Sequence, residues 1–145
     1  MKIEIKRLND KARLPFRATD GSAGADLFAC LEEDVTVEPG GRVLIPTGIA
    51  IAIPDKGYGG FVFPRSSVAS KHGVSLSNCV GVIDSDYRGE VKIPVINHGS
   101  EAYTIRNGDR IAQLVMLPVI LPELEETDFL GETERGEGGF GSTGC

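Results

Sequence analysis

Arg65, Ser66 and Ser67 stand together in Pro64-Arg65-Ser66-Ser67-Val68-Ala69, where a strand-like run ends and a short helix could open with a serine at its cap. The free N–H groups and dipole of a helix start favour phosphate, the two hydroxyls add donors, and the arginine adds a planar fork of charged donors. A capped helix beside a surface arginine is the commoner meaning of such a triplet, so it does not by itself define a site. A second anion-gripping pattern closes the chain. Residues 131–145 read GETERGEGGFGSTGC, glycines that let backbone N–H groups approach oxygens, with Arg135, Phe140, Ser142 and Thr143 among them. It is not a P-loop, since GxxxxGK[ST] and a following helix are lacking.

The third stretch, NCVGVIDSDYRGE at 78–90, leads from one strand through a turn into another. Asp-x-Asp in a turn usually bonds its own backbone, and Asp86 is read that way. Asp84 follows the apolar Val82 and Ile83, so it can project from a strand end into a cleft and act as a general base toward water. Asp26, in AGADL at 23–27, could face solvent or a polar site, and taken alone the surface reading wins for it and for Gln113, in GDRIAQ at 108–113. His72 and His98 adjoin glycines in expected turns without partner spacing and receive no role.

The elements that must position these residues are short strands. Residues 3–8 alternate with period two, as in a strand with one buried face. Similar runs occur at 26–30, 35–37, 43–53, 60–63, 80–83, 90–97, 103–106 and 110–120, separated by DGSAG, EPGG, PDKGYGG, NHGS and RNGD turn signals. Only residues 66–72 look helical. This spacing predicts an all-β antiparallel sandwich or barrel. Pro46 and Pro94 fall inside strand patterns and point to edges, bulges or strands passing between sheets or subunits. The glycine-dense end cannot bury enough surface to offset its ordering entropy, and composition alone makes it a mobile terminus.

At 145 residues and 41% hydrophobic, the chain suits one domain with its own core. The formal net charge of -6 argues against binding a nucleic-acid backbone or an anionic membrane surface, though it leaves room for a local basic pocket, so any nucleotide partner is expected to be a free one. Cys30, Cys79 and Cys145 form no CxxC pair and suggest neither a disulfide framework nor a zinc cage. The start MKIEIKRLND lacks the features of a signal or transit peptide, and no run of about 18 apolar residues is present, so the cytoplasm is the expected location.

Taken in order, AGADL at 23–27, PRSSVA at 64–69, NCVGVIDSDYRGE at 78–90, GDRIAQ at 108–113 and RGEGGFGSTG at 135–144 resemble the trimeric dUTPase family from end to end. The resemblance implies a β-clip, a distorted jelly-roll barrel with one short helix, over residues 1–130. It also implies a homotrimer in which the arm of residues 131–145 closes a neighbouring subunit's active site. The implied reaction is hydrolysis of dUTP to dUMP and pyrophosphate, which keeps uracil out of DNA and supplies dUMP for thymidylate synthesis. Asp84 would activate the water for in-line attack on the α-phosphorus. Arg65, Ser66 and Gln113 would hold the phosphate chain, with Ser67 beside them, although many family members have glycine there. Mg2+ would be bound through phosphates and water without direct protein ligands, Asp26 orienting its hydration shell.

The family reads uracil with main-chain groups of the hairpin at about 74–82; Asn78 stands at its matching position, and Gly81, Val82 and Ile83 continue the base-binding edge. Tyr87 would lie against the deoxyribose. Phe140 would stack on uracil beside Gly141, and Arg135, Ser142 and Thr143 would clasp the γ-phosphate. The sister enzyme dCTP deaminase shares the fold, but its catalytic glutamate falls where this chain has Pro94, which can transfer no proton. A nucleotide sensor that switches partners as its tail orders, and an inert structural trimer, are the readings from other classes. The first should lack a group such as Asp84; the second leaves the tail and acid cluster without a role.

Overall fold

A computed structural model describes residues 1–139. In chain order the elements are β1 (Glu4–Arg7), β2 (Ala25–Phe28), β3 (Val35–Val37), β4 (Arg42–Ala52), β5 (Tyr58–Pro64), α1 (Ser66–His72), β6 (Val74–Leu76), β7 (Gly81–Ile83), β8 (Glu90–Asn97), β9 (Tyr103–Ile105) and β10 (Arg110–Pro118). All strand pairs are antiparallel. One sheet runs β1-β4-β8-β6, a second runs β2-β10-β5-β7, and β3 pairs with β9. The fold is thus all-β with one short helix, as expected.

Period-two burial builds the core. Val91, Ile93 and Val95 of β8 point inward beside Ile45, Ile49 and Ile51 of β4, and they join Leu27, Val62, Ala112 and Leu114 from the second sheet in one cluster. Ile45, Ile93 and Ile105 have no exposed surface, and truncating such a residue to alanine costs about 2–5 kcal/mol. Two buried polar residues interrupt the core: Thr47, whose Oγ1 donates to the Val91 carbonyl at 2.5 Å, and Asn97. Asn97 Nδ2 donates to the Val37 and Glu101 carbonyls at 2.8 Å each, and its Oδ1 accepts from Gly99 N, so every capacity that burial would orphan is used.

Four expectations change. β1 is exposed on both faces, because it is an outer strand paired only with β4 and no second layer covers Ile5. The helix cap is Arg65, in an extended conformation without a side-chain cap bond, rather than a serine. β6 is an additional strand, without a glycine or proline turn signal after it. Asp86 makes no side-chain bond to its own backbone among the described residues. The turn is closed instead by Tyr87 N donating to the Asp84 carbonyl at 3.2 Å and by the Arg88 guanidinium donating to the Ser85 and Tyr87 carbonyls.

The prolines behave as their chemistry requires. Pro46 borders a register break between β4 and β8. The β6–β8 register would place Ser77 opposite Pro94; Ser77 N donates to the Pro94 carbonyl at 2.8 Å, and the ladder ends where proline lacks the return N–H. Cys30 is buried, which pushes its thiol above the usual range, while Cys79 is exposed. Cys145 lies outside the described residues.

Candidate functional site

Asp26 and Gln113 are direct cross-strand partners on β2 and β10, so their side chains leave the sheet on the same face. Gln113 is also opposite Phe63 of β5, one residue before Pro64, and the chain then turns at Arg65 into α1. These pairings gather Asp26, Arg65, Ser66, Ser67, Arg110 and Gln113 around an open cleft of about 470 Å³. Asp26 is largely buried, with 13% of its side chain exposed, and is held from two sides. Arg65 Nε donates to Oδ1 at 2.8 Å and Arg110 Nη1 to Oδ2 at 3.2 Å. Two guanidinium groups and one carboxylate leave a local excess of positive charge, which suits an anionic ligand.

Gln113 Nε2 donates to the Pro64 carbonyl at 3.0 Å, which leaves its second N–H for a ligand. Its Oε1 lies against Gly24, where a Cβ would come within 2.5 Å, so the glycine of AGADL makes room for this amide. Behind the cleft wall, Arg17 donates to the Ser22 and Ala23 carbonyls and ties the preceding loop in place.

Asn78, Gly81, Val82, Ile83, Asp84 and Tyr87 line a second cleft of about 370 Å³, with Leu44, Lys92 and Pro94 from the other sheet. In β7, Ile83 turns into the core while Val82 is 65% exposed, and continued alternation puts Asp84 on the outward face with Val82. The hairpin before β7 is tight. Val80 N donates to the Asn78 carbonyl at 2.7 Å around Cys79, whose φ is 63, making a γ-turn with positive central φ, the rarer and more strained of its two forms. Gly81 crosses close to Val62, and Tyr87 lies over Gly89, where a Cβ would run into its oxygen. Tyr87 Oη donates to the Glu90 carbonyl at 3.0 Å, which fixes the ring beside the cleft while 46% of the residue stays exposed.

The chain does not bring the two groups together. Ile83 pairs with Gly60 near the start of β5, whereas Arg65 follows its end, so Asp84 and Arg65 are separated by on the order of 20 Å of strand. Among the described residues none lines both clefts. Residues 119–139 form no strand or helix, and Ile120, Leu124 and Leu130 are each at least 90% exposed. Arg135 lines neither cleft and donates through Nε to the Gly138 carbonyl of its own arm at 2.7 Å. Phe140, Gly141, Ser142 and Thr143 lie outside the described residues.

Arg110 and Gly24 join the site although neither was singled out as a functional residue. Arg110 is three positions before Gln113, and a regular strand would place them on opposite faces. A register shift between Arg110 and Ala112 against β2 turns Arg110 to the Gln113 side. A bulge of this kind is a property of the pairing and leaves no mark in the strand's own pattern.

Among the described residues no group of three His, Cys, Asp or Glu side chains could hold a metal, and no helix is long and apolar enough to cross a membrane. Asp26, the only acid among the described residues lining the first cleft, has both oxygens engaged by arginines. That donor set suits an ion whose ligands come from substrate and water.

A deoxyuridine 5'-triphosphate nucleotidohydrolase of Desulfitobacterium hafniense is 56% identical to this chain over 144 residues, covering 99% of the chain and 95% of the relative. A Staphylococcus bacteriophage 80alpha dUTPase with dUPNHPP superposes with a TM-score of 0.87 at 33% identity, covering 99% of each chain. A mutant dUTPase from phage phi11 of S. aureus, whose structure concerns coordination of a structural Mg(II) ion, gives a TM-score of 0.80 at 28% identity and covers 91% of this chain and 100% of that one. A family model described as dUTPase matches residues 10–144, and the chain belongs to that family.

Proposed function

We propose that this chain hydrolyses dUTP to dUMP and pyrophosphate in sites shared between the subunits of a homotrimer. One observation carries the shared site: the groups suited to phosphate and the acid suited to activating water lie at opposite ends of β5. A second copy that sets its first cleft against the other's second cleft would complete the constellation. The exposed apolar residues beyond β10, including Ile120, Leu121, Leu124, Phe129 and Leu130, offer apolar surface that association would remove from water.

In the assembled site Asp84 takes the proton of a water that attacks the α-phosphorus in line, and pyrophosphate departs on the opposite side. Arg65, Ser66 and Gln113 hold phosphate oxygens, Ser67 borders them, and Asp26 keeps Arg65 aligned. Mg2+ would be held by phosphate oxygens and water, with Asp26 reaching its hydration shell, and when bound it neutralises charge on the phosphate chain. Main-chain groups around Asn78, Gly81, Val82 and Ile83 read the uracil edge. Cytosine's exchanged donor would leave polar groups unpaired there, a penalty of roughly 10⁴-fold or more. Tyr87 packs against the deoxyribose and rejects a 2′-hydroxyl by on the order of a hundredfold. Pro94 lines the same cleft and offers no proton for deamination. The arm of residues 131–145, with Arg135, Phe140, Gly141, Ser142 and Thr143, closes a neighbouring site. The setting is cytoplasmic.

The test is pyrophosphate release from dUTP, dCTP, dTTP and UTP with magnesium, comparing the intact chain with Asp84→Asn. Selective release from dUTP, lost on substitution, is expected. Binding of dUTP without release would replace the hydrolase with a nucleotide sensor.

A further inference from the structure

We propose that Arg110 is a positioning residue, which fixes the Asp26 carboxylate so that Arg65 presents its terminal nitrogens to the phosphate chain. The inference rests on the first cleft being the phosphate half of a dUTP site.

The geometry forms a relay of three side chains. Arg65 spends its Nε on Asp26 Oδ1 at 2.8 Å, an edge contact that leaves the two Nη groups available apart from a long 3.5 Å approach of Nη1 to the Arg110 carbonyl. The direction in which those Nη groups face is therefore set by the plane of the Asp26 carboxylate. That plane is fixed only if both oxygens are held, since a carboxylate anchored through one oxygen turns about its terminal torsion, which has a broad minimum. Arg110 supplies the second anchor through Nη1 to Oδ2 at 3.2 Å.

The bulge gives independent support. An arginine three positions from Gln113 reaches the cleft only because the β2–β10 register shifts between Arg110 and Ala112. A register break weakens the ladder locally, and here it aims one side chain at the largely buried Asp26. Arg110 itself has 48% of its side chain exposed, and without it Asp26 keeps Arg65 as a partner, so its loss costs the fold little. Its effect should appear in the site and leave the fold intact.

A direct phosphate contact by Arg110 is the competing role, and a double-mutant cycle separates the two. Binding of a non-hydrolysable dUTP analogue with magnesium is measured for Arg110→Gln, Asp26→Asn and the double variant, with thermal melting as the check on folding. Arg110→Met, which keeps the apolar stem, runs through the same cycle as a second variant. For a role exercised through Asp26, the Arg110 substitution weakens binding about tenfold alone and by only a small factor once Asp26 is already Asn. Equal losses in both backgrounds would overturn the proposal. Because the cycle reads binding alone, turnover of dUTP by the unaltered chain judges the hydrolase reading separately.

Discussion

The two clefts are built by different means. The first consists of charged and amide side chains held against one another: Asp26 between two arginines and Gln113 between Gly24 and the Pro64 carbonyl. The second rests on main chain, a strained γ-turn at Cys79 and a short strand, with Val82 and Tyr87 left open to solvent. A phosphate chain carries diffuse charge that several donors can share, whereas a base edge presents a fixed order of donors and acceptors. Side chains suit the former and a rigid backbone the latter. One cleft should therefore control affinity, and the other should control chemistry and selectivity.

The sharpest way to break that division is to remove one charged group from each side. Asp84→Asn is expected to lower kcat on the order of 10² to 10⁴-fold while leaving binding of a dUTP analogue nearly unchanged. Arg65→Ala is expected to reduce kcat/KM by roughly a hundredfold, with a weaker Kd for the same analogue. Steady-state kinetics beside calorimetry check both. If the two variants lose affinity and turnover in the same proportion, the clefts do not divide the work.

Two glycines sharpen the comparison on a smaller scale. Gly24→Ala pushes a methyl group into the Gln113 amide, the mobile end of a side chain, so the protein should fold with little change in Tm while kcat/KM falls about tenfold. Gly89→Ala displaces the Tyr87 ring and should act on selectivity, narrowing the dUTP-over-UTP ratio more than it lowers dUTP turnover. Paired dUTP and UTP rates decide this. An unchanged ratio would remove Tyr87 from sugar recognition.

Much of the scaffold was legible in the residue pattern. The helix at 66–72 and the strands at 35–37 and 90–97 fall where periodicity and turn signals put them, since each has a clear period or sharp punctuation. β6 escaped because, unlike the equally short β3 with EPGG after it, its three residues are not followed by a glycine or proline turn signal, and β1 was expected to bury a face that is covered only if another layer lies over it. The helix cap fell on Arg65 because the backbone is still extended there, a property of φ and ψ that residue preference only suggests.

The site divides similarly. Asp84 could be singled out locally, because an acid after an apolar strand end is unusual, while Asp26 and Gln113 were ambiguous until the five motifs were seen together. What brings them onto one face is cross-strand register, a long-range property. The same holds for Arg110, turned inward by a bulge, and for Gly24 and Gly89, whose importance lies in what touches them. The separation along β5 depends on the β5–β7 pairing and is not visible in spacing along the chain.

That separation has a genetic consequence if the sites are shared as proposed. A chain damaged at Arg65 still carries an intact Asp84 end, and a chain damaged at Asp84 still carries an intact Arg65 end. Two alleles that each encode a dead protein would complement one another when their products co-assemble. In a cyclic trimer mixed at random from equal amounts, roughly a quarter of the interfaces would pair two sound halves. Loss of function at this locus would then depend on which end of one strand each mutation strikes.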